Sequence, residues 1–169
     1  DIAAIVSEWG KNALFSGKKI MVEYSQPNPL KVFHIGHLMS TVVGESISRL
    51  VENAGATIHR ANYQGDIGLH IAKAIWGVQK TGKDPHDVHA LGEAYVFGAT
   101  AYEDDADAKK EIDELNLKLY AKDPEYQLIY DAGRAASLAK FEEIYTILGT
   151  KFDSYFFESA VAHSAIDTV

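Results

Sequence analysis

Residues 19–55 read KIMVEYSQPNPLKVFHIGHLMSTVVGESISRLVENAG, and the fold turns on this stretch. Ile20-Met21-Val22 is an unbroken apolar run of strand formers, the pattern expected of a strand buried on both faces of a parallel sheet. From Leu38 onward, Val42, Val43, Ile47, Leu50, Val51 and Ala54 recur with the helical period, and Gly55 supplies a helix-ending residue. Thr57–Tyr63 then predicts a second strand. Strand, helix and strand follow within about forty-five residues, the form of a right-handed crossover unit in an α/β sheet.

Working outward, Ile2, Ile5, Val6 and Trp9 fall at helical spacing and predict a short leading helix before Gly10. After Asp66 the pattern is helical throughout: Ile67, Ile71, Ile75 and Val78, then Leu91, Ala94, Tyr95, Gly98 and Tyr102, then Ile112, Leu115 and Leu119. Tyr126, Tyr130, Phe141, Tyr145 and Leu148 continue it, with Gly149 as the stop. Phe152–Phe157 is aromatic and suits a third strand. The expected organisation is a leading helix and linker at 1–17, the first half of a parallel nucleotide-binding sheet at 18–77, an all-helical insertion at 78–150, and a third strand with the start of a further segment at 151–169.

Composition narrows the function classes. The chain has 169 residues, 47% of them hydrophobic, which is enough for one sizeable core. With no cysteine, disulfides and thiolate metal sites are excluded, and no structural metal is expected. No apolar run is long enough to span a membrane, and a cytoplasmic setting is expected. The net charge of −8 is uneven: residues 1–74 carry 7 Lys/Arg against 6 Asp/Glu, leaving 9 against 18 for residues 75–169. An acidic helical half is a poor surface for phosphate-rich partners, so any RNA should be held mainly by other segments. His86, Asp87, His89 and Glu93 could be drawn as metal ligands, but Pro85 and the surrounding pattern read as an exposed helix start. Glu103-Asp104-Asp105-Ala106-Asp107 likewise reads as a solvated helix start, where acidic groups favour the positive end of the dipole.

The chemistry concentrates between the first strand and the first long helix, in SQPNPLKVFHIGH at 25–37. Ligands of open α/β sheets bind beyond the carboxyl ends of strands, where a helix start offers free N–H groups to phosphate. His34 and His37 straddle such a start, and their ring N–H groups can donate to phosphate oxygens as charge develops. Gly36 leaves room for a base or ribose against the backbone. Glu23, a carboxylate closing an apolar strand, is costly if buried without a partner. A guanidinium would match it with two parallel bonds; the alternative is an ion pair with a Lys or Arg of the chain itself.

His34-Ile35-Gly36-His37 is the HIGH signature of class I aminoacyl-tRNA synthetases. With VEYSQPNPLKVFHIGHLMST at 22–41, NYQGDIG at 62–68 and FDSYFFES at 152–159, the chain resembles the arginyl-tRNA synthetases from about Gly17 to Ser159. The resemblance implies the first half of a Rossmann-like sheet with an all-helical insertion, and the ATP-dependent activation of L-arginine followed by transfer to tRNA(Arg). It places His34, Gly36, His37 and Lys31 on ATP, with its Mg2+, and gives His34, His37 and Lys31 catalytic roles. It also places Glu23, Ser25 and Asn28 on arginine. Lys31 stands where a lysine ahead of the histidines is thought to replace one missing from the mobile KMSKS loop. Met39 and Ile67 depart from the family pattern, which more often has arginine and tryptophan there. The resemblance further implies that this chain is the front part of a longer polypeptide and inactive alone; the exposed apolar edge of a half-sheet favours self-association or a partner strand. Two rival readings stand beside it: a stand-alone HxGH nucleotidyltransferase, and a non-catalytic synthetase-like module.

Overall fold

A computed structural model describes residues 8–166, with side chains through Ala162; the expected leading helix lies outside the described residues, apart from Trp9, which sits in a turn. Three strands, β1 (Lys19–Glu23), β2 (Thr57–Gln64) and β3 (Ser154–Phe157), form a parallel sheet with β2 in the centre. Helix α1 (Ile35–Asn53) crosses from β1 to β2. Between β2 and β3 run α2 (Leu69–Thr81), α3 (Val88–Asp104), α4 (Ala106–Tyr120) and α5 (Pro124–Leu148), and α6 (Glu158–Ile166) follows β3. Helix α2 is continuous through residue 77.

The apolar core lies among the helices rather than on the sheet. Ile71 and Ile75 of α2, Leu91 and Ala94 of α3, and Ile112 and Leu115 of α4 pack together with Leu30 from the loop after β1. Local capping explains the helix ends. Asp105 closes α3 and opens α4, accepting from Asp107 N–H and Ala108 N–H at 2.8 and 3.2 Å. Gly149 ends α5 in the left-handed region at φ 67°, which glycine takes without a Cβ penalty.

Two sequence expectations are corrected. Met21 is 59% exposed, and β1 alternates between exposed and half-buried residues, so it is not buried on both faces. Among the described residues, strand β1 is a sheet edge, paired only with β2, and the two faces of the sheet differ in what covers them. On the covered face lie Tyr24, Arg60, Asn62 and Tyr155, bonded to α1 or α5. On the opposite face, Met21, Glu23 and Phe156 are exposed, while Ala61 in the central strand is buried.

Helix α1 carries the second correction. Its apolar row faces outward, with Val42, Val43, Ile47 and Leu50 all exposed, while Thr41, Gly44, Glu45 and Ser48 are buried. A methyl group at Gly44 would fall 2.3 Å from the Tyr24 ring, so only glycine allows the helix so close to that residue. The helix is therefore held to the sheet by small and polar residues. It also begins at Ile35, three residues earlier than its apolar period predicts, because histidines supply the cap.

Candidate active site

The site grows from the loop joining β1 to α1. Ser25, Gln26 and Leu30 hold positive φ of 75°, 55° and 60°, unusual for residues with side chains. Side chains from three elements hold that conformation. Ser40 of α1 accepts from Ser25 N–H at 3.2 Å, Asn62 of β2 from Gln26 N–H at 3.2 Å, and Ser137 of α5 from Leu30 N–H at 2.9 Å. Ser25 Oγ donates to Tyr145 at 3.0 Å and accepts from Thr41 at 2.9 Å, while Asn62 also donates to Tyr145 at 3.0 Å. Because Ser25 is 1% exposed with its hydroxyl engaged twice, it shapes the loop from within.

The loop delivers both histidines to the first turn of α1. His34 is the N-cap, its Nδ1 accepting from Gly36 N–H at 3.1 Å, and His37 Nδ1 accepts from His34 N–H at 3.3 Å. Serine or threonine with glutamate usually performs this reciprocal capping. Imidazoles add a consequence: a neutral ring whose Nδ1 accepts carries its proton on Nε2 and keeps that donor free of the cap. The rings stack with centroids 3.7 Å apart at 19°. Burial, the neighbouring His34 and the charge of Lys31 push His37 down to about 4, so it is neutral near pH 7. No acidic residue occupies the first turn, leaving the positive dipole end unopposed. A methyl group at Gly36 would meet the His34 ring at 3.0 Å, so the ring itself uses the space glycine leaves.

Lys31 lies 4.5 Å from the Tyr95 ring centroid on α3, and its charge adds to burial in lowering His70. Glu23 is exposed and accepts from Gln26 Nε2. The burial argument for a partner therefore does not apply to Glu23; its carboxylate stands open at the strand end. Asn28 and Glu158 both lie over Gly65, the first residue after β2. Glu158, Asn62, Ser137 and Tyr145 were not singled out from the sequence, although Glu158 and Asn62 lie inside the quoted FDSYFFES and NYQGDIG segments.

Two other carboxylates hold the frame. Burial would push Glu45 up, but hydrogen bonds from Tyr24 at 2.6 Å, Arg60 at 3.0 Å, Arg49 at 2.6 Å and Thr150 at 2.9 Å outweigh it and hold Glu45 at about 2. Asp66 accepts from Arg134 at 2.9 Å, Tyr130 at 3.2 Å and both Ser159 groups at 2.8 Å, joining β2, α5 and α6. Ile67, beside it, lines a cavity of about 310 Å3 with Tyr130, Arg134 and Lys122. Met39 is exposed on α1. Elsewhere, Asp87 caps α3 through His89 N–H at 2.8 Å and Glu93 pairs with Lys83. No helix among the described residues is long and apolar enough to cross a membrane.

Residues 1–160 match the family of class I tRNA synthetases (R), catalytic domain. The chain belongs to this arginyl-tRNA synthetase family. It is 32% identical over 160 residues to the arginine–tRNA ligase of Borreliella afzelii, covering 90% of this chain and 27% of that protein. The probable mitochondrial arginine–tRNA ligase of Homo sapiens is 35% identical over 161 residues, covering 90% and 28%. Among solved structures, the arginyl-tRNA synthetase from Plasmodium falciparum superposes with a TM-score of 0.63 at 26% identity, covering 95% of this chain and 27% of that one. The Thermus thermophilus arginyl-tRNA synthetase shares the fold, with a TM-score of 0.67 at 23% identity over 98% of this chain and 28% of its own. The chain thus spans just over a quarter of the length of the synthetases it matches. Its three-stranded parallel sheet is the Rossmann-like part of the synthetase fold.

Proposed function

We propose that the chain forms the ATP and arginine side of an arginine–tRNA ligase active site, and that the complete protein converts ATP and L-arginine to arginyl-adenylate before esterifying tRNA(Arg). The observation that carries this reading is the pair of stacked histidines that cap α1 through Nδ1, at a helix N-terminus with no acidic residue in its first turn. When the arginine carboxylate attacks the α-phosphorus, charge grows on the phosphate oxygens as pyrophosphate departs. In this reading, two ring N–H donors and the helix end oppose that charge. His37 donates as a neutral group, so its contribution needs no ionisation at pH 7.

In this reading, ATP arrives with its Mg2+ as one substrate, and Lys31 leaves the Tyr95 ring to meet the β- or γ-phosphate. Glu23 takes the guanidinium through two parallel hydrogen bonds, Asn28 adds a polar contact, and Ser25 holds the loop that carries both. Residues 18–77 act as the nucleotide-binding half, 78–150 as the helical insertion and 151–169 as the return to the sheet. The acidic helical part leaves most tRNA contact to segments beyond this chain, and the protein works in the cytoplasm. The open β1 edge favours association with another strand, or a second copy, when the chain is isolated.

The test is arginine-dependent ATP–pyrophosphate exchange by the complete gene product with tRNA supplied. Exchange that requires arginine and falls at least a hundredfold, roughly, on replacing both His34 and His37 by Ala supports the proposal. Exchange driven equally by other amino acids, or without any, would point to another reaction. The 169-residue chain alone is expected to give no exchange above its own His34→Ala, His37→Ala control, since nucleotide sites of doubly wound sheets use strands on both sides of the crevice.

A further inference from the structure

Four consecutive residues of the β1–α1 loop, Leu30 to Phe33, lean on the helices between β2 and β3. Among the described residues they make a single hydrogen bond, from Leu30 N–H to Ser137 Oγ of α5 at 2.9 Å. Both partners are fully buried, so water does not compete for the bond. The Leu30 side chain enters the helical core, where a methyl group at Gly133 of α5 would stand 3.0 Å from its Cγ and 3.3 Å from Leu91 of α3. Val32 sits closer still against α3: a methyl group at Gly92 would fall 2.3 Å from Val32 Cγ2. Among the described residues, Val32 is the only one outside the helix that such a group would meet. Phe33 then turns to α5, its ring centroid 6.0 Å from that of Phe141.

Lys31 stands between the two anchored residues. Its ammonium rests over Tyr95, also on α3, and it enters no ion pair among the described residues. A lysine is a point charge on a flexible stem, so where its charge can reach is decided by where its backbone is held. The histidines have a restraint of their own in the reciprocal cap at the start of α1. Thr41 and Glu45 tie that helix to Ser25 and Tyr24. For Lys31, the restraint comes from α3 and α5.

Resting on the reading that Lys31 meets the β- or γ-phosphate of ATP, we propose that Gly92 and Ser137 are positioning residues for Lys31. Helices α3 and α5 hold Leu30 and Val32, and so aim the lysine between them at the nucleotide. Neither Gly92 nor Ser137 touches substrate, and no bond is made or broken at them. Leu30 needs its pin because a φ of 60° is unfavourable for leucine. Without the Ser137 hydroxyl its N–H would be buried and unpaired, and the loop would gain by leaving that conformation. Val32 needs its notch because a β-branched side chain has few rotamers by which to escape. A methyl group at Gly92 therefore displaces the backbone that carries Lys31, and a misplacement of about 1 Å can cost on the order of a hundredfold in rate.

The experiment is a double-mutant cycle in ATP–pyrophosphate exchange by the complete gene product, with arginine and tRNA supplied. Gly92→Ala and Ser137→Ala should each lower kcat/KM for ATP about tenfold and leave the KM for arginine unchanged. In a Lys31→Ala background the same two substitutions should cost less than about twofold, because the group they position is already gone. Adding Val32→Ala to Gly92→Ala should recover most of the loss, the new methyl group at position 92 taking the space of a valine γ-methyl. A merely structural role predicts the same factor with and without Lys31, and that result would overturn the proposal. So would no loss in either variant, no recovery with Val32→Ala, or an arginine KM that rises with that for ATP. Should Gly92→Ala fail to unfold cooperatively, Ser137→Ala against Lys31→Ala decides by the same criterion. Exchange that Lys31→Ala leaves unchanged would overturn the role of Lys31 and this inference together, with arginine activation standing. Absence of arginine dependence in the wild type would instead overturn the reading beneath both.

Discussion

The two faces of the sheet treat polar residues in opposite ways. On the covered face, Glu45 binds Tyr24, Arg60, Arg49 and Thr150, and the Ser25, Asn62 and Tyr145 side chains bond to one another. On the open face and its rim, among the described residues, Glu23 and Glu158 enter no ion pair, and the two histidines form hydrogen bonds through Nδ1. Paired charge locks a frame; unpaired charge at the strand ends is available to a ligand. The distinction matters because desolvated carboxylates are tolerated only with partners. It also sorts mutations into those that should lower stability and those that should lower activity.

The largest effect is expected on the covered face. Glu45→Ala strands Arg60, which is only 10% exposed, between Tyr24 and the lone remaining carboxylate Glu52. Loss of one member of a buried pair costs about 3 kcal/mol, readable in urea unfolding of the 169-residue chain. Glu23→Gln in the same measurement should stay within about 0.5 kcal/mol of the original. Equal destabilisation by the two would erase the distinction between the faces.

Next come the histidines, where the ordering reverses. In the complete gene product, His37→Ala should slow adenylate formation about a hundredfold, near 2.7 kcal/mol of transition-state stabilisation. Its stability cost should be about 1 kcal/mol, the worth of a helix cap. Lys31→Ala should slow adenylate formation more than transfer to tRNA in single-turnover measurements. Equal slowing of both steps would make Lys31 a loop anchor through Tyr95 instead. A smaller effect, about 1 kcal/mol of stability, is expected for Tyr145→Phe, which deprives Ser25 and Asn62 of their shared acceptor.

How far the sequence could be read follows the same division. The first two parallel strands, the crossover helix and the histidine pair lie in local pattern, with apolar runs, period and motif all inside residues 19–64. The burial of β1 and the outward apolar row of α1 were not legible, because periodicity reports a stripe without saying what covers it. Glu45 hides among the small residues Thr41, Gly44 and Ser48, and its role depends on Arg60 and Thr150, the latter 105 positions away. Glu158 converges on Asn28 only through the parallel pairing of β2 and β3, which brings Gln64 beside Phe157. Such contacts carry no local sequence signal.

The smallest expected effect links the two regions through pH. His37 stays neutral in the folded chain down to about 4, against an ordinary value of 6.5, because burial and the nearby His34 and Lys31 oppose its charge. Between those values the unfolded chain takes up a proton that the folded chain refuses. The stability associated with neutral His37 is thus complete above about 6.5 and is lost progressively as pH falls toward 4. Solvent at the rim should limit the loss to about 1 kcal/mol. Glu45 has the same sign in a lower window: its depressed value protects the fold above 4.5, and that protection disappears as pH falls to about 2. Replacing His37 with Gln removes only the upper window. Chemical denaturation of the 169-residue chain at a series of pH values should therefore show a flatter upper slope in His37→Gln and an unchanged lower one. His70 is also lowered by burial, but it titrates alike in both proteins, so the difference between them isolates His37. If the two profiles superimpose from pH 6.5 to 4, the ring gains its proton freely in the fold. The neutral Nδ1 cap would then not be what holds the start of α1.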